Sequence, residues 1–236
     1  GLETPDEHSG PSFLCLPTDR AAYGRLSSLI TVGKRRAPKG QCWITLDDVL
    51  HHACGQILIA LPPAAHEEAA FAAMLEEFSA ATSCYLAAHH LYRGDDARRL
   101  VRLEAIAERC GTPLVATNDV HAHDPARRAL QDVLTCIREH CNIDTAGWRL
   151  HANAERHLKS GAEMARLFAR HTHAVARNVE IAAACHFNLD ELRYEYPAEP
   201  VAGGRTAQEE LARLSWRGAA ARWPAGVPAK VRAQID

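Results

Sequence analysis

The sequence predicts a mixed α/β protein whose β-strands all lie in the first half of the chain. Apolar runs of strand length alternate with helical patterns up to about residue 120, and only helical patterns follow Pro125. Strands that alternate with helices at this spacing are typical of parallel βαβ units, and hence of a barrel or a doubly wound sheet. We therefore expect an α/β domain that continues into an all-helical segment.

The individual elements follow from apolar runs, periodicity and turn residues. Strands are predicted at 13–16, 56–61, 84–90 and 114–117. Helices are predicted after them at 20–32, 45–52, 65–78 and 95–110. Thr18 or Asp19 caps the first of these helices. Thr45, with Asp48 three places on, has the pattern of a capping box for the second.

The second half of the chain has helical patterns at 126–137, 162–169, 172–185 and 207–223, and a last helix begins near residue 228. Ser160 with Glu163, and Thr206 with Glu209, are capping-box pairs. Turn-forming residues cluster just after residue 190, at Pro197, Pro200, Gly203 and Gly204. This change of composition predicts a domain boundary near residue 190.

The bulk composition is that of an ordinary globular protein, with 47% hydrophobic and 24% charged residues. No run of about 18 apolar residues occurs, and the amino terminus has no basic-then-apolar leader pattern. We expect a cytoplasmic protein without a membrane partner. The net charge of −2 argues against nucleic-acid binding by the whole surface, although it leaves room for a local basic patch.

The eight cysteines are scattered, form no CxxC pair and in several cases lie inside apolar runs. Buried free thiols in a reducing compartment are therefore a better interpretation than a disulfide framework. The cysteines are Cys15, Cys42, Cys54, Cys84, Cys110, Cys136, Cys141 and Cys185.

The sharpest local signal is an Asp-x-His pair, Asp119 and His121, just after the fourth predicted strand. In parallel α/β folds, functional side chains collect at the carboxyl ends of strands, where the loops meet. One carboxylate oxygen and one imidazole nitrogen are suitable ligands for Zn²⁺, Mn²⁺ or Fe. The alternative interpretation is that Asp119 caps the following turn while His121 is a solvated loop residue.

Other polar groups give weaker signals. His89 and His90 end the third strand, where adjacent side chains point to opposite faces, so at most one of them can face the same mouth. The basic run 34–36, with Lys39, either contacts nucleic-acid phosphates or is a solvated loop. No Gly-rich phosphate loop or GxSxG elbow occurs, so no cofactor-binding or catalytic residue is assigned. The remaining histidines, with His171 and His173 among them, lie in polar or helical contexts without ligand spacing.

The run Leu114–His121, LVATNDVH, resembles the VATNDVH signature of the PHP (polymerase and histidinol phosphatase) domain in bacterial C-family DNA polymerase α subunits. Further stretches resemble the error-prone branch of that family, and they lie at 16–26, 33–40, 127–134 and 187–197. The resemblance covers essentially the whole chain. It implies a distorted (β/α) barrel of PHP type over residues 1–190, lacking its amino-terminal strands. Residues 191–236 would be the linker and first helices of the polymerase region.

The resemblance also implies a metal site. In that family the strand-end Asp-x-His supplies two ligands of a polynuclear centre, which assigns Asp119 and His121 as metal ligands. The family's first metal motif, His-x-His, would lie before Gly1. Gly1-Leu2-Glu3 can be the remnant of a Gly-x-Glu strand end that adds Glu3 as a ligand. The expected result is an incomplete site for Zn²⁺ or Mn²⁺, while the Mg²⁺ of nucleotidyl transfer would bind beyond Asp236.

Two functions are compatible with these patterns. The first is a segment of an error-prone DNA-directed DNA polymerase, a nucleotidyltransferase of damage tolerance and repair synthesis. Its partners would be primer-template DNA, deoxynucleotides and other translesion-synthesis proteins. The alternative is a PHP-type metal-dependent phosphoesterase, either a proofreading module or a free-standing phosphatase. The linker at 193–197 and the helix after it favour the first function. We expect the chain alone to lack polymerase activity and to bind metal weakly.

Overall fold

The computed structural model describes residues 12–62, 68–194, 201 and 204–235. The chain divides into two compact units, Gly1–Glu191 and Leu192–Asp236. The first unit contains a four-stranded sheet with helices, and the described part of the second contains helices. The prediction of a mixed α/β chain that ends in helices is confirmed.

The sheet has the strand order β1-β2-β3-β4, in which β1 is Ser12–Pro17, β2 is Gln56–Leu61, β3 is Ser83–His89 and β4 is Leu114–Thr117. β2, β3 and β4 are parallel, as predicted, whereas β1 is antiparallel to β2. The expectation of uniformly parallel strands is therefore wrong for β1. Among the described residues, β1 and β4 are the two edges of an open sheet, and these strands by themselves do not close a barrel.

β1 and β2 are antiparallel because the chain enters β2 next to the point at which it leaves β1. The Thr18 backbone N–H and hydroxyl both donate to the Gly55 carbonyl, at 3.0 and 2.8 Å. Arg25 Nε donates to the Cys54 carbonyl at 2.7 Å. Gly55 has a φ of +71°, and a Cβ there would lie 2.9 Å from Arg25 and 3.1 Å from Ala22, so a larger residue does not fit this turn. β2 thus starts beside the end of β1.

Apart from α6, which was not predicted, the α-helices follow the predicted order. Their bounds are α1 Arg20–Arg36, α2 Leu46–His51, α3 Glu68–Ala81, α4 Asp96–Cys110, α5 Arg128–Arg138, α6 Ile143–Ala146, α7 Gly161–Leu167, α8 Thr172–Ala184, α9 Ala207–Arg222 and α10 Ala229–Ile235. Short 3-10 helices cover Pro125–Arg127, Gly147–Arg149 and Leu189–Glu191. The capping boxes predicted at the starts of α2 and α9 are both present. Asp19 and Ser160 accept backbone N–H groups at the starts of α1 and α7. The capping box predicted for Ser160 with Glu163 is only half formed, because the Glu163 carboxylate binds Arg166 instead.

α1 continues past its predicted end at Val32, because its last turn is made of the basic run 34–36. Positive side chains at a helix carboxyl end are favourable for the helix dipole. Arg36 also forms a two-pronged ion pair with Asp48 of α2, with N···O distances of 2.6 and 3.0 Å. The run is therefore a helix terminus rather than a loop, and Lys39 is exposed just beyond it.

The parallel strands are buried on both faces, which explains why they read as continuous apolar runs. One face packs against α3 and α4 in a cluster that includes Leu58, Leu86, Phe71, Phe78, Leu103 and Ile106. The other face packs against α8 in a smaller cluster that includes Ile57, Ile59, Val115 and Ile181. Each fully buried side chain of this size stabilises the fold by roughly 1.5–3 kcal/mol. The amide of Asn178 on α8 also donates to the Ala116 carbonyl of edge strand β4 at 3.0 Å.

All eight cysteines are free thiols in this structure. None of the helices in the described part of the chain combines the length and apolar composition that a bilayer crossing requires.

The loop after β3 is fixed by Asp96, the buried first residue of α4. Its carboxylate accepts the backbone N–H groups of Leu91 at 2.8 Å and Arg93 at 2.7 Å. Burial raises the pKa of Asp96, but hydrogen bonds from Leu91, Arg93 and Gly94 outweigh that effect and lower the pKa overall. The fold therefore stabilises the ionised form.

We expect Asp96→Asn to lower the free energy of unfolding by about 1.5–3 kcal/mol at pH 7, since one charge-assisted acceptor is lost. The folded-state pKa of Asp96 is lowered, so its contribution is present above the ordinary aspartate pKa of about 3.9 and disappears as the pH falls through the folded-state value. Urea unfolding of both proteins from pH 7 to pH 3 measures this. Asp95→Asn is the matched control, because the neighbouring Asp95 side chain caps nothing. Equal losses for the two variants would contradict the assignment.

Candidate functional site

The predicted Asp-x-His pair lies at the carboxyl end of β4, as the sequence indicated. Asp119 follows the strand by two residues and has a φ of 43°, an uncommon left-handed conformation for a residue other than glycine. Asp119 Oδ1 and His121 Nε2 are 3.6 Å apart. The expectation that the two side chains lie close together is confirmed, whereas their role as metal ligands stays a prediction.

The guanidinium of Arg156 contacts both members of the pair. Arg156 Nη2 lies 2.9 Å from Asp119 Oδ2, and Arg156 Nη1 lies 3.0 Å from His121 Nε2. Arginine has no acceptor atom, so His121 Nε2 must accept this hydrogen bond with its lone pair. Asp119 and His121 therefore both face the same cation. Arg156 thus occupies the lone pair of His121 Nε2 and contacts one of the two Asp119 carboxylate oxygens that a metal ion would use.

Asn118 brings Arg156 to the strand end. Its side-chain Nδ2 donates to the carbonyls of Glu155 at 2.8 Å and His157 at 2.5 Å, the two residues that flank Arg156. Backbone bonds extend the tie, since His121 N–H donates to the Arg156 carbonyl at 2.8 Å. A single buried amide thus connects β4 to a segment more than 35 residues further along the chain.

The same segment is also tied to the end of β3. The Asn153 amide donates to the Leu91 carbonyl at 2.6 Å. Lys159, whose side chain is only 2% exposed, donates to the backbone and the carboxylate of Glu155 at 2.7 and 2.9 Å. We call residues 151–158 the crossing segment, because it lies across the ends of β3 and β4.

A cavity of about 250 Å³ lies at the ends of β2, β3 and β4. We call it the strand-end cavity. Its polar lining consists of His89, Arg93, Arg99, Asp119 and Arg156, and the ends of β2 and β3 contribute apolar groups. Three arginines converge here on one aspartate, although the chain as a whole has a net charge of −2.

His89 is neutral in this environment. Burial lowers its pKa to about 4, and Arg99, Arg156 and Arg93 act in the same direction against the opposing charge of Asp119. Its Nδ1 lies 2.7 Å from the hydroxyl of Thr117, which fixes the orientation of the ring. The imidazole therefore lines the cavity as a polar but uncharged group at pH 7.

The arginines repel one another. Burial lowers the pKa of Arg99 and Arg93 lowers it further, while the charges of Asp95, Asp96 and Asp119 oppose this effect. Burial likewise lowers the pKa of Arg156, where Asp119 opposes the effect of Arg93 and Arg99. Guanidinium groups nevertheless remain protonated in proteins, so the cavity holds a surplus of positive charge.

The other predicted site residues lie elsewhere. His90 does not line the cavity and contacts the ring of Tyr92, with centroids 4.9 Å apart. This agrees with the expectation that at most one of the two histidines faces the mouth. Glu3 lies outside the described residues.

A second group of potential ligands lies between α4 and the start of α8. One ligand atom each of Glu104, His171 and His173 fall within 4.8 Å of one another. Glu104 Oε1 is 3.4 Å from His171 Nδ1 and 3.8 Å from His173 Nε2. A carboxylate with two imidazoles is a sufficient protein ligand set for Zn²⁺. The described residues thus contain a possible divalent-metal site.

Sequence reasoning missed two features of these sites. The His-x-His spacing of 171–173 was visible next to a predicted helix, but its carboxylate partner Glu104 is 67 residues away. Arg156 has no local signal at all, because its partner His121 is 35 residues away and Arg156 itself lies outside any helix or strand. Only tertiary structure reveals these partners.

The chain is a homologue of one segment of larger bacterial DNA polymerases. It is 50% identical over 228 residues to an error-prone DNA polymerase of Caulobacter vibrioides, which covers 96% of this chain and 21% of the relative. It is 49% identical over 228 residues to an error-prone DNA polymerase of Rhodopseudomonas palustris and 44% identical over 220 residues to error-prone DNA polymerase 1 of Agrobacterium fabrum. These matches cover 96% and 93% of this chain.

The resemblance to the error-prone branch is therefore confirmed along nearly the whole chain. The chain spans about a fifth of the length of the curated relatives it matches. No family model matches the sequence.

We expect Asn118→Asp to lower the free energy of unfolding by about 2–4 kcal/mol at pH 7, because a carboxylate cannot donate to the Glu155 and His157 carbonyls. The loss should shrink as the pH falls, since a protonated carboxyl can donate one hydrogen bond. Urea unfolding at several pH values measures this. Asn142→Asp is the control, because the Asn142 side chain only accepts hydrogen bonds, from the Thr145 N–H and hydroxyl at a helix start, and aspartate does the same. If Asn118→Asp is as stable as this control, the Asn118 side chain does not hold the crossing segment against β4.

Proposed function

We propose that this chain is a segment of an error-prone DNA-directed DNA polymerase, a nucleotidyltransferase of DNA damage tolerance and repair synthesis. The observation that carries this proposal is identity of 44–50% with proteins of that name over 93–96% of the chain. The complete protein would act on primer-template DNA and deoxynucleotides in the cytoplasm. Its protein partners would be other translesion-synthesis proteins. Mg²⁺ would serve its nucleotidyl-transfer site, whose residues are not those described above.

We propose a different domain identity for each of the two compact units. Residues 1–190 would be a PHP-like domain, a distorted (β/α) barrel lacking its amino-terminal strands. Residues 191–236 would be the linker and first helices of the polymerase region. An apolar stripe on α5 supports a role inside a larger assembly, since Leu130, Val133, Leu134 and Ile137 are each at least half exposed.

We propose that Asp119 and His121 are the remnant of the family's metal-binding pair. As they lie, these residues are poorly suited to a metal ion, because Arg156 contacts His121 Nε2 and one oxygen of the Asp119 carboxylate. A catalytic zinc site generally needs three protein ligands, and this pair offers two. Zn²⁺ or Mn²⁺ would therefore bind weakly here, and Arg156 would supply the positive charge instead.

This arrangement disfavours the alternative function, a PHP-type phosphoesterase. Such an enzyme needs a metal-bound water as its nucleophile. A guanidinium can neutralise Asp119 but cannot bind and ionise a water molecule as a metal does. The strand-end cavity is thus better suited to positioning charge than to hydrolysis.

The polymerase proposal is tested by primer extension. The complete polypeptide encoded by the gene should extend a primer on undamaged and abasic templates, and this chain alone should show no incorporation. The chain alone should also hydrolyse p-nitrophenyl phosphate no faster than the buffer. Absence of nucleotide incorporation by the complete polypeptide, with Mg²⁺ supplied, would refute the proposal.

The metal proposal is tested by calorimetric titration with Zn²⁺ and Mn²⁺. His173→Ala serves as the background, because it removes the second potential metal site. Adding Arg156→Met, which keeps the length of the side chain without its charge, should raise the affinity about tenfold or more, since the lone pairs of Asp119 and His121 become available.

The matched control adds Asp119→Ala and His121→Ala to the variant that carries His173→Ala and Arg156→Met. These two substitutions should remove the increase in metal affinity. Equal affinity with and without Arg156 would contradict the idea that this residue stands in for the metal. Binding that survives the loss of Asp119 and His121 would remove their assignment as ligands.

A further inference from the structure

Three potential metal ligands from two helices meet at the start of α8. His171 precedes the first residue of α8, His173 lies in its first turn, and Glu104 lies in the middle of α4. One ligand atom of each residue lies within 4.8 Å of the other two. These three residues do not line the strand-end cavity, and they are distinct from the pair Asp119 and His121. We call them the α4–α8 cluster.

The distances within the α4–α8 cluster are close to those around a bound metal ion. Glu104 Oε1 is 3.4 Å from His171 Nδ1 and 3.8 Å from His173 Nε2. The first contact is a long hydrogen bond, and the second is longer than a hydrogen bond. Two atoms that bind one tetrahedral Zn²⁺, each at about 2.0–2.2 Å, lie about 3.4 Å apart. The three groups thus bond weakly to one another but have nearly the spacing of ligands that share an ion.

The main chain of the α4–α8 cluster is fixed by packing and by hydrogen bonds. His171 N–H donates to the Phe168 carbonyl at 2.8 Å, and the His171 carbonyl accepts the Ala174 N–H at 2.9 Å. Phe168 and Ala174 are both buried in the larger core cluster. Leu103, the neighbour of Glu104 on α4, is buried in the same cluster. Little conformational freedom is therefore lost when these ligands bind an ion.

The ligand types of the α4–α8 cluster select the metal. Two imidazole nitrogens and one carboxylate oxygen form a ligand set that Zn²⁺ uses, with water in the fourth position. Mg²⁺ and Ca²⁺ prefer oxygen ligands, so neither suits this cluster. The His171 side chain is 10% exposed and that of His173 is 50% exposed, so an ion can enter from the side of His173. The carboxylate of Glu104 supplies negative charge against the positive end of the α8 dipole.

We propose that Glu104, His171 and His173 form a Zn²⁺ site that holds the start of α8 against α4. α8 covers the edge strand β4, to which its Asn178 donates a hydrogen bond at 3.0 Å. An ion bound at the first turn fixes the opposite end of the same helix, so Zn²⁺ stabilises the packing of α8 on the sheet. The role is structural. It goes beyond the proposed polymerase function and rests neither on that function nor on the strand-end pair.

The test is calorimetric titration of the full 236-residue chain with Zn²⁺, unaltered and with Asp119→Ala and His121→Ala, which remove the strand-end pair. We expect one Zn²⁺ to bind per chain in both proteins, and no saturable binding of Mg²⁺. Co²⁺ in place of Zn²⁺ should give the visible absorption of a tetrahedral ion. A hundredfold excess of Zn²⁺ over its dissociation constant should raise the thermal midpoint by about 5–10 °C, because the ion binds the folded chain.

Two variants assign the ligands. Glu104→Gln and His173→Ala should each weaken Zn²⁺ binding about tenfold or more and reduce the rise in thermal midpoint, since two ligands remain. The matched controls are Glu108→Gln, one turn further along α4, and His186→Ala, an exposed histidine after α8. Circular dichroism verifies that each variant is folded, and the half-exposed His173 decides the question if Glu104→Gln is not. The proposal is overturned if Zn²⁺ does not bind, if it leaves the midpoint unchanged, or if either ligand variant binds it as tightly as the controls, as binding by cysteine thiols would.

Discussion

The side-chain amide of Asn118 holds together two distant parts of the chain, and the arrangement of the strand ends depends on it. Because it donates to the carbonyls on either side of Arg156, it fixes the crossing segment against β4. The backbone bond from His121 to Arg156 then continues the contact as a short ladder. An amide can do this and a carboxylate cannot, since only the amide donates two hydrogen bonds. Every charged contact of Arg156 follows from this placement.

Arg156 places a covalently attached cation against Asp119 and His121, the pair that we propose to be the remnant of a metal-binding pair. A metal ion needs several ligands in a defined geometry, and its occupancy depends on supply and pH. A guanidinium has a permanent charge, and it is in place once the backbone of its own residue is correctly positioned. The contacts of Arg156 with Asp119 and His121 therefore keep a structured strand end without requiring a complete ligand set. A guanidinium cannot ionise a water molecule as a metal ion can, but its charge in the strand-end cavity is always present.

The fold was largely readable from the sequence because its signals are local. The parallel strands are buried on both faces and read as apolar runs, and the helix starts have caps such as Asp19 and the box of Thr45 with Asp48. The direction of β1 was not readable. Strand direction depends on where the chain re-enters the sheet, and here that point is set by the contact of Thr18 with Gly55 across 37 positions.

For the site, the sequence determined the residue types and their place at a strand end. Asp119 and His121 are two residues apart, so one strand positions both of them. Only the tertiary structure decided what they contact, because Arg156 reaches them from a segment with no periodic pattern. The same holds for Arg93 and Arg99, which look like ordinary surface arginines in the sequence and share a cavity only through the packing of strand ends. Local sequence patterns predict helices and strands. Whether charged side chains from different helices and strands come together is decided only by the folded chain.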